Sequence, residues 1–219
     1  MKLLMDPAKI EEESFRRIEA LLPASIKGQF SRGEWEVTRR IIHTTGDPEF
    51  YRLVRFSKGA VDEGVKALLE KKGVYADTRM LLSGISTGRL KELSVSASCL
   101  INDHEVVRRA KESSITRAAA SIELLIDRQK EGMDTGIVAI GNAPTALFYL
   151  LDAIKEISWR PSLIIGTPVG FVGAEESKEA LMASGVPYIT CVGTRGGSTV
   201  AASIVNALAI MALRKKTIT

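Results

Sequence analysis

The sequence predicts an α/β fold: one parallel sheet covered by helices on both faces, preceded by a helical N-terminal part. Three observations carry this. From about residue 73 onward, five short and nearly continuous apolar runs alternate with stretches of helical periodicity, the pattern of strands buried on both faces. Before that point the apolar spacing is helical. Finally, Val138-Ala-Ile-Gly-Asn-Ala-Pro-Thr-Ala-Leu147 and Pro168-Val-Gly-Phe-Val-Gly-Ala-Glu-Glu-Ser-Lys178 each open a helix through a tight loop. Such junctions at the ends of parallel strands are where α/β proteins hold anionic ligands.

The elements follow in order. Asp6-Pro7 is an N-cap followed by proline at the first helical position, and Ile10, Phe15, Ile18 and Leu22 keep helical spacing. Ser31 with Glu34 makes a capping-box pattern that starts a second helix carrying Val37, Ile41 and Ile42, and Gly46-Asp47-Pro48 ends it. Strands are expected at 74–76, 96–101, 136–140, 161–165 and 187–192. Helices are expected at 77–85, 104–110, 114–131, 143–156, 173–184 and 198–213. With no repeat or Pro/Ser-rich linker, residues 1–219 form a single domain, helical to about 72 and doubly wound from about 73.

Composition narrows the function classes. At 45% hydrophobic residues over 219 positions, the chain can bury a core without disulfides or structural metals. Cys99 and Cys191 lie far apart with no Cys-x-x-Cys spacing, which argues against a zinc or redox motif and for a reduced, cytoplasmic setting. Met1–Pro7 is too short an apolar run for a signal peptide. The run Val200–Leu213 falls short of the roughly 18 residues a membrane span needs and reads as a buried helix. A net charge of +4 is dispersed among nearly as many acids, and aromatics are only 5%; nucleic-acid binding calls for a basic stripe with stacking aromatics. A small molecule bearing several carboxylates suits scattered arginines and helix N-termini better.

Arg40-Ile-Ile-His-Thr-Thr-Gly46 holds one of the chain's two histidines. By position, His43 fits a helix C-terminus favoured by the macrodipole, and it also fits a proton donor and acceptor, since an imidazole has an unperturbed pKa of about 6.5. His104, in Asn102-Asp103-His104-Glu105, reads as a surface residue opening a helix, and His43, His104 and Cys99 lack metal-ligand spacing. Asn142 is an N-cap candidate and Pro144 fits the first helical turn; amides there, with the Asn142 and Thr145 side chains, can bind a carboxylate. Gly166-Thr-Pro-Val-Gly170 and Gly193-Thr-Arg-Gly-Gly-Ser198 open further helices, and neither is a dinucleotide or Walker A loop. Lys178 and Arg195 stand beside them, Lys178 suiting a solvated face as well as a carboxylate. Arg117 starts a long helix, where a cation meets the positive end of the dipole, so an anionic partner would relieve it.

Together these segments resemble the precorrin-8X and cobalt-precorrin-8 methylmutase family over nearly the whole chain. The resemblance implies a three-layer α/β/α fold, flavodoxin-like with strand order 2-1-3-4-5, which puts the ligand crevice beside Asp77 and Gly141-Asn142. It implies an isomerase that moves a methyl group from C-11 to C-12 of a corrin precursor, with His43 placing a proton. No cofactor is implied: cobalt, where present, belongs to the substrate. Substrate contacts are implied at Ser14, in Ile10-Glu-Glu-Glu-Ser-Phe15, and at Arg17, Ser86, Arg117, Asn142, Thr145, Lys178, Arg195 and Ser198. A homodimer is also implied, with no nucleic-acid or membrane partner. Glu175 stands where the family pattern has alanine, and Arg195 stands one place later than its usual arginine, which bears on the carboxylate contacts of the last loop. A non-catalytic corrinoid carrier is the alternative of a different class.

Overall fold

Local capping sets the first helices. In a computed structural model, which describes residues 5–218, the Asp6 carboxylate accepts from the amides of Ala8 and Lys9 at the start of α1 (Pro7–Leu21). Met1–Leu4, and with them most of the apolar N-terminal run, lie outside the described residues. A single turn, α2 (Ala24–Lys27), leads to α3 (Arg32–Thr45), whose start carries both bonds of the Ser31–Glu34 capping box. Gly46, at φ 67°, closes α3 in the left-handed conformation that glycine adopts without strain.

The sheet has six strands and is mixed, where the sequence predicts five, all parallel. After a 3-10 turn at Pro48–Arg52 the chain forms β1 (Val54–Phe56), which pairs antiparallel with the last strand, Val54 opposite Cys191. Three residues on a sheet edge, with exposed Arg55 at the centre, leave no apolar run to detect. Helix α4 (Ala60–Leu69) then precedes β2 (Gly73–Ala76), β3 (Ala97–Ser98), β4 (Thr135–Ile140), β5 (Leu163–Gly166) and β6 (Tyr188–Cys191). The order across the sheet is β1-β6-β5-β4-β2-β3, and every pairing except β1 with β6 is parallel. Strand β3 is much shorter than the expected 96–101, because only Val74 and Tyr75 of β2 pair with it. Cys99 thus lies just beyond a strand, and β1 covers the edge that Cys191 would otherwise occupy; both cysteines are free.

Helices α5 (Arg79–Gly84) and α6 (Thr87–Glu92) follow β2; α7 (His104–Glu112) and α8 (Arg117–Lys130) follow β3; α9 (Pro144–Glu156), α10 (Ala174–Ala183) and α11 (Ser198–Ile218) each follow a strand. Alternation along the strands divides the core. Val74, Ala76, Ile137, Ala139, Leu163 and Ile165 pack with α3, α4 and α11. Tyr75, Val138, Ile140 and Ile164 point to the other face, against α8, α9 and α10. Helix α11 is long and apolar enough to cross a membrane by length and composition, yet 61% of that stretch is buried within the fold.

Candidate functional site

The parallel strands end at one rim of the sheet, and the loops that leave them there are tied together by hydrogen bonds. The centre is Asp77, the residue after β2. Its side chain is buried; Oδ1 accepts from the Gly141 amide at 3.1 Å, and Oδ2 accepts from Asn142 at 2.8 Å and Ala143 at 3.1 Å. Burial raises the carboxyl's pKa, and the three amides with the Thr78 hydroxyl act the other way. Thr78 caps α5 through the Leu81 amide, so this helix starts later than residue 77, and its hydroxyl lies 3.0 Å from that of Ser198 at the start of α11. The loop after β4 presses on the same point: a Cβ on Gly141 would stand 2.7 Å from Ser198 Cα.

This arrangement corrects two expectations. The N-cap of α9 is Ala143, not Asn142, and no side chain caps it. The amides of Gly141, Asn142 and Ala143, expected to be open to a ligand carboxylate, already hold the carboxylate of Asp77. What remains for a ligand are side chains. Asn142 and Thr145 are exposed, and the Thr145 hydroxyl sits 2.8 Å from that of Thr116, the N-cap of α8. That bond places Arg117 beside the start of α9. Among the described residues Arg117 is exposed and makes no hydrogen bond or ion pair.

The glycine-rich loop after β6 lies next along the rim. The Gly197 amide donates to the Thr167 carbonyl at 2.8 Å, and Gly196, at φ 155°, packs so close that a Cβ would overlap the same oxygen. Lys178 supports this loop from beneath. By sequence it suits a solvated face or a ligand carboxylate, but its side chain is buried and its ammonium donates to the Arg195 carbonyl at 2.9 Å. The Cys191 thiol donates to that oxygen too, at 3.0 Å. Desolvation lowers the Lys178 pKa and pushes the Cys191 thiol up to about 11.

Arg195 itself reaches back to the end of α3. Its guanidinium pairs with Asp47 and lies 5.0 Å from the centre of the Phe50 ring. The loop that follows α3, four residues past His43, is thereby joined to the rim. His43 occupies the last turn of α3, half-buried, with its ring edge-on to Phe15 of α1 at 5.4 Å. Arg39 and Arg40 flank the same phenyl ring at 4.1 and 4.9 Å, and they pair with Glu19 and Glu11 at 2.7 and 2.6 Å. The Arg40 bond is the main cause holding the Glu11 carboxyl below the usual range. Ser14 adjoins Phe15 and is half-buried. Arg17 is exposed on α1 and pairs with Glu13 at 2.7 Å. Ser86, at the start of α6, donates its amide to Asn206 of α11 at 2.8 Å, and Asn206 donates to the Gly84 carbonyl at 2.9 Å.

The structure therefore brings Asn142, Thr145, Arg117, Ser198 and Arg195 onto one rim and fastens the α3 terminus bearing His43 to it. It leaves Arg17 outward and Lys178 below. Thr78 and Asn206 are organising residues that sequence reasoning gives no role, and it sets Asp77 only beside the crevice and Asp47 only in the turn that ends α3; an acid ending an apolar strand, Tyr75-Ala-Asp-Thr78, is the signal that marks Asp77. Beside Arg195 the loop before α10 exposes Val169, Phe171 and Val172, the last two at 93% and 89%, and the Gly170 amide bonds the Thr194 carbonyl at 3.0 Å. Among the described residues no three His, Cys, Asp or Glu side chains are grouped as metal ligands.

Comparison with known proteins gives a consistent result. The family described as precorrin-8X methylmutase (CbiC) matches residues 9–211. The chain is 40% identical to the cobalt-precorrin-8 methylmutase of Methanocaldococcus jannaschii over 86% of its own length and 84% of the relative's. It is 40% identical to the precorrin-8X methylmutase of Pseudomonas aeruginosa over 94% and 96%. The solved precorrin-8X methylmutase of Thermus thermophilus superimposes with a TM-score of 0.83 at 39% identity, covering 94% of this chain and 98% of that one.

Proposed function

The chain belongs to the precorrin-8X methylmutase family, and from that premise we propose how its rim carries out the isomerisation. The activity is that of a methylmutase in cobalamin biosynthesis; the reaction we assign is migration of a methyl group from C-11 to C-12 of precorrin-8. Such a shift is intramolecular: one C–C bond breaks and another forms on the same ring system. The protein's tasks are to place a proton and to hold the macrocycle. His43 takes the first task. A general acid contributes typically ~10²–10⁴-fold, and orientation of the bound ring supplies much of the remainder.

The observation that carries the reading is that Arg195, on the rim, lies against Asp47 and the Phe50 ring just past α3, which brings the His43 helix end beside the rim. The imidazole is held against Phe15 at the border of a surface that offers Arg117, Thr145 and Asn142 to peripheral carboxylates, whereas Ser198, expected to meet substrate, is buried with its hydroxyl on Thr78. Ser14 and Ser86 approach the macrocycle from α1 and α6. Arg195 meets a substrate carboxylate with the guanidinium nitrogens that its pair with Asp47 does not engage. The parallel strands support a flavodoxin-like reading, with the crevice at the switch between β2 and β4.

We assign the active form as a cytoplasmic homodimer, with no nucleic-acid or membrane partner. Phe171 and Val172 support a second subunit or the macrocycle covering this face, because soluble chains seldom leave large apolar side chains grouped in water without a partner. Mixing inactive His43 and Arg117 variants tests a shared site: recovery of activity supports it, and a fully active monomer on sedimentation removes it. One relative named for cobalt-precorrin-8 and one named for precorrin-8X are each 40% identical to this chain. Parallel assays with precorrin-8 and its cobalt form decide which this enzyme takes.

A further inference from the structure

We propose that Asp77 is a positioning residue of this site, an internal anion that sets the binding loop and fixes how substrate carboxylates are received. The inference rests on the reading that the rim meets the macrocycle. Successive backbone amides at the entrance to a helix form a cradle for anions, and in many α/β proteins a ligand fills it. Here the chain fills it from across the switch point. Asp77, buried at the end of β2, accepts from Gly141, Asn142 and Ala143 at the end of β4.

Three consequences follow. The loop is clamped to the neighbouring strand by charge-assisted bonds, which are stronger than neutral ones. No ligand anion can use these amides, so a carboxylate of the substrate must be taken by the Asn142 and Thr145 side chains and by Arg117, whose positions the clamp sets through the Thr145–Thr116 bond. The adjoining Thr78 contacts Ser198, so the end of β2 locates the start of α11 as well. Asp77 touches none of the reacting atoms and acts through these neighbours.

The test compares Asp77→Asn and Asp77→Ala with the wild-type enzyme. Asparagine keeps an acceptor for two of the three amides and turns an N–H toward the third; alanine removes all three bonds. Hydrogen exchange at Gly141, Asn142 and Ala143 should quicken in both. KM should rise in the asparagine variant, by up to about 10–100-fold, the free energy of the internal hydrogen bond to a charged group setting the ceiling, with kcat within about threefold because lost uniform binding appears in KM. A variant that merely destabilises the fold instead lowers the active fraction, and so apparent kcat, at constant KM. That pattern, or unchanged kinetics with quickened loop exchange, overturns the proposal. Where the alanine variant does not fold, the asparagine variant decides alone. Wild-type enzyme inactive on both precorrin-8 and its cobalt form overturns the underlying reading instead, so the two failures are distinguishable.

Discussion

Replacing Gly141 by alanine tests the packing of the rim at its tightest point. The added Cβ would stand 2.7 Å from Ser198 Cα, 2.9 Å from Ser198 N and 3.1 Å from the Gly197 carbonyl carbon. Carbon atoms pack at about 3.5–4.0 Å, so the loop and the α11 terminus must separate by roughly 1 Å, and the obstructing atoms are backbone that cannot rotate away. Overpacking of this kind costs about 1–3 kcal/mol. Gly141 is absent from the glycines at positive φ, so alanine also restricts the unfolded chain, returning about 0.4–1 kcal/mol. The net loss is on the order of 0.5–2 kcal/mol, which for a chain of this size lowers Tm by about 1–8 °C. Gly88, inside α6 with nothing near its Cβ position, is the control: alanine there should stabilise by about 0.5–1 kcal/mol. Thermal unfolding followed by circular dichroism reads both. A Gly141→Ala protein as stable as the Gly88→Ala protein, with unchanged KM, would refute the claim that loop and helix are in forced contact.

Other perturbations give equally definite outcomes. Arg117→Gln removes a side chain with no partner in the described chain, so Tm should stay within the range of about ±0.5 kcal/mol typical of surface changes while KM rises; an unchanged KM removes Arg117 from the substrate contacts. Glu105, held at about 2 by Arg108 and then Arg109, binds protons less readily folded than unfolded, so it adds stability above the ordinary carboxylate range that is lost as pH falls from about 4.5 toward 2. Glu105→Gln should flatten that acid limb in unfolding curves, and an unaltered limb would show the ion pairs to be inert. Cys191, buried and pushed up to about 11, should resist iodoacetamide at pH 8 in the native enzyme, with half-buried Cys99 alkylated first; the reverse order by peptide mass spectrometry would contradict the burial of β6.

Much of this architecture is legible locally. The caps at Asp6 and Ser31 and the stop at Gly46 depend on neighbours in sequence, and the buried strands announce themselves by continuous apolar runs. Strand β1 does not, because three residues with a central arginine acquire strand geometry only by pairing with β6. The sequence places Asn142 and its following amides as a ligand cradle, which is sound for the isolated segment. It fails because the competing anion, Asp77, lies more than sixty residues earlier and reaches the amides only once β2 and β4 are adjacent. Lys178 escapes for a similar reason: a lysine on an amphipathic helix ordinarily suits solvent, and only the carbonyl of Arg195 makes its burial tolerable. The histidine motif is readable as a segment, whereas the Phe15 contact and the approach of Arg195 to Asp47 depend on tertiary packing.

The central claim is that the chain turns precorrin-8 over with His43 placing the proton. Single-turnover absorption spectroscopy with anaerobically prepared precorrin-8, with and without cobalt, comparing wild type with His43→Gln, tests it most directly. The account predicts conversion to the corrin chromophore by the wild type and a rate at least about 10²-fold lower in the variant, with folding and product affinity retained. Losing the edge contact with Phe15 removes only about 0.5–1.5 kcal/mol. Wild-type turnover by the variant would contradict the role of His43, and tight product binding without turnover by the wild type would make the protein a carrier.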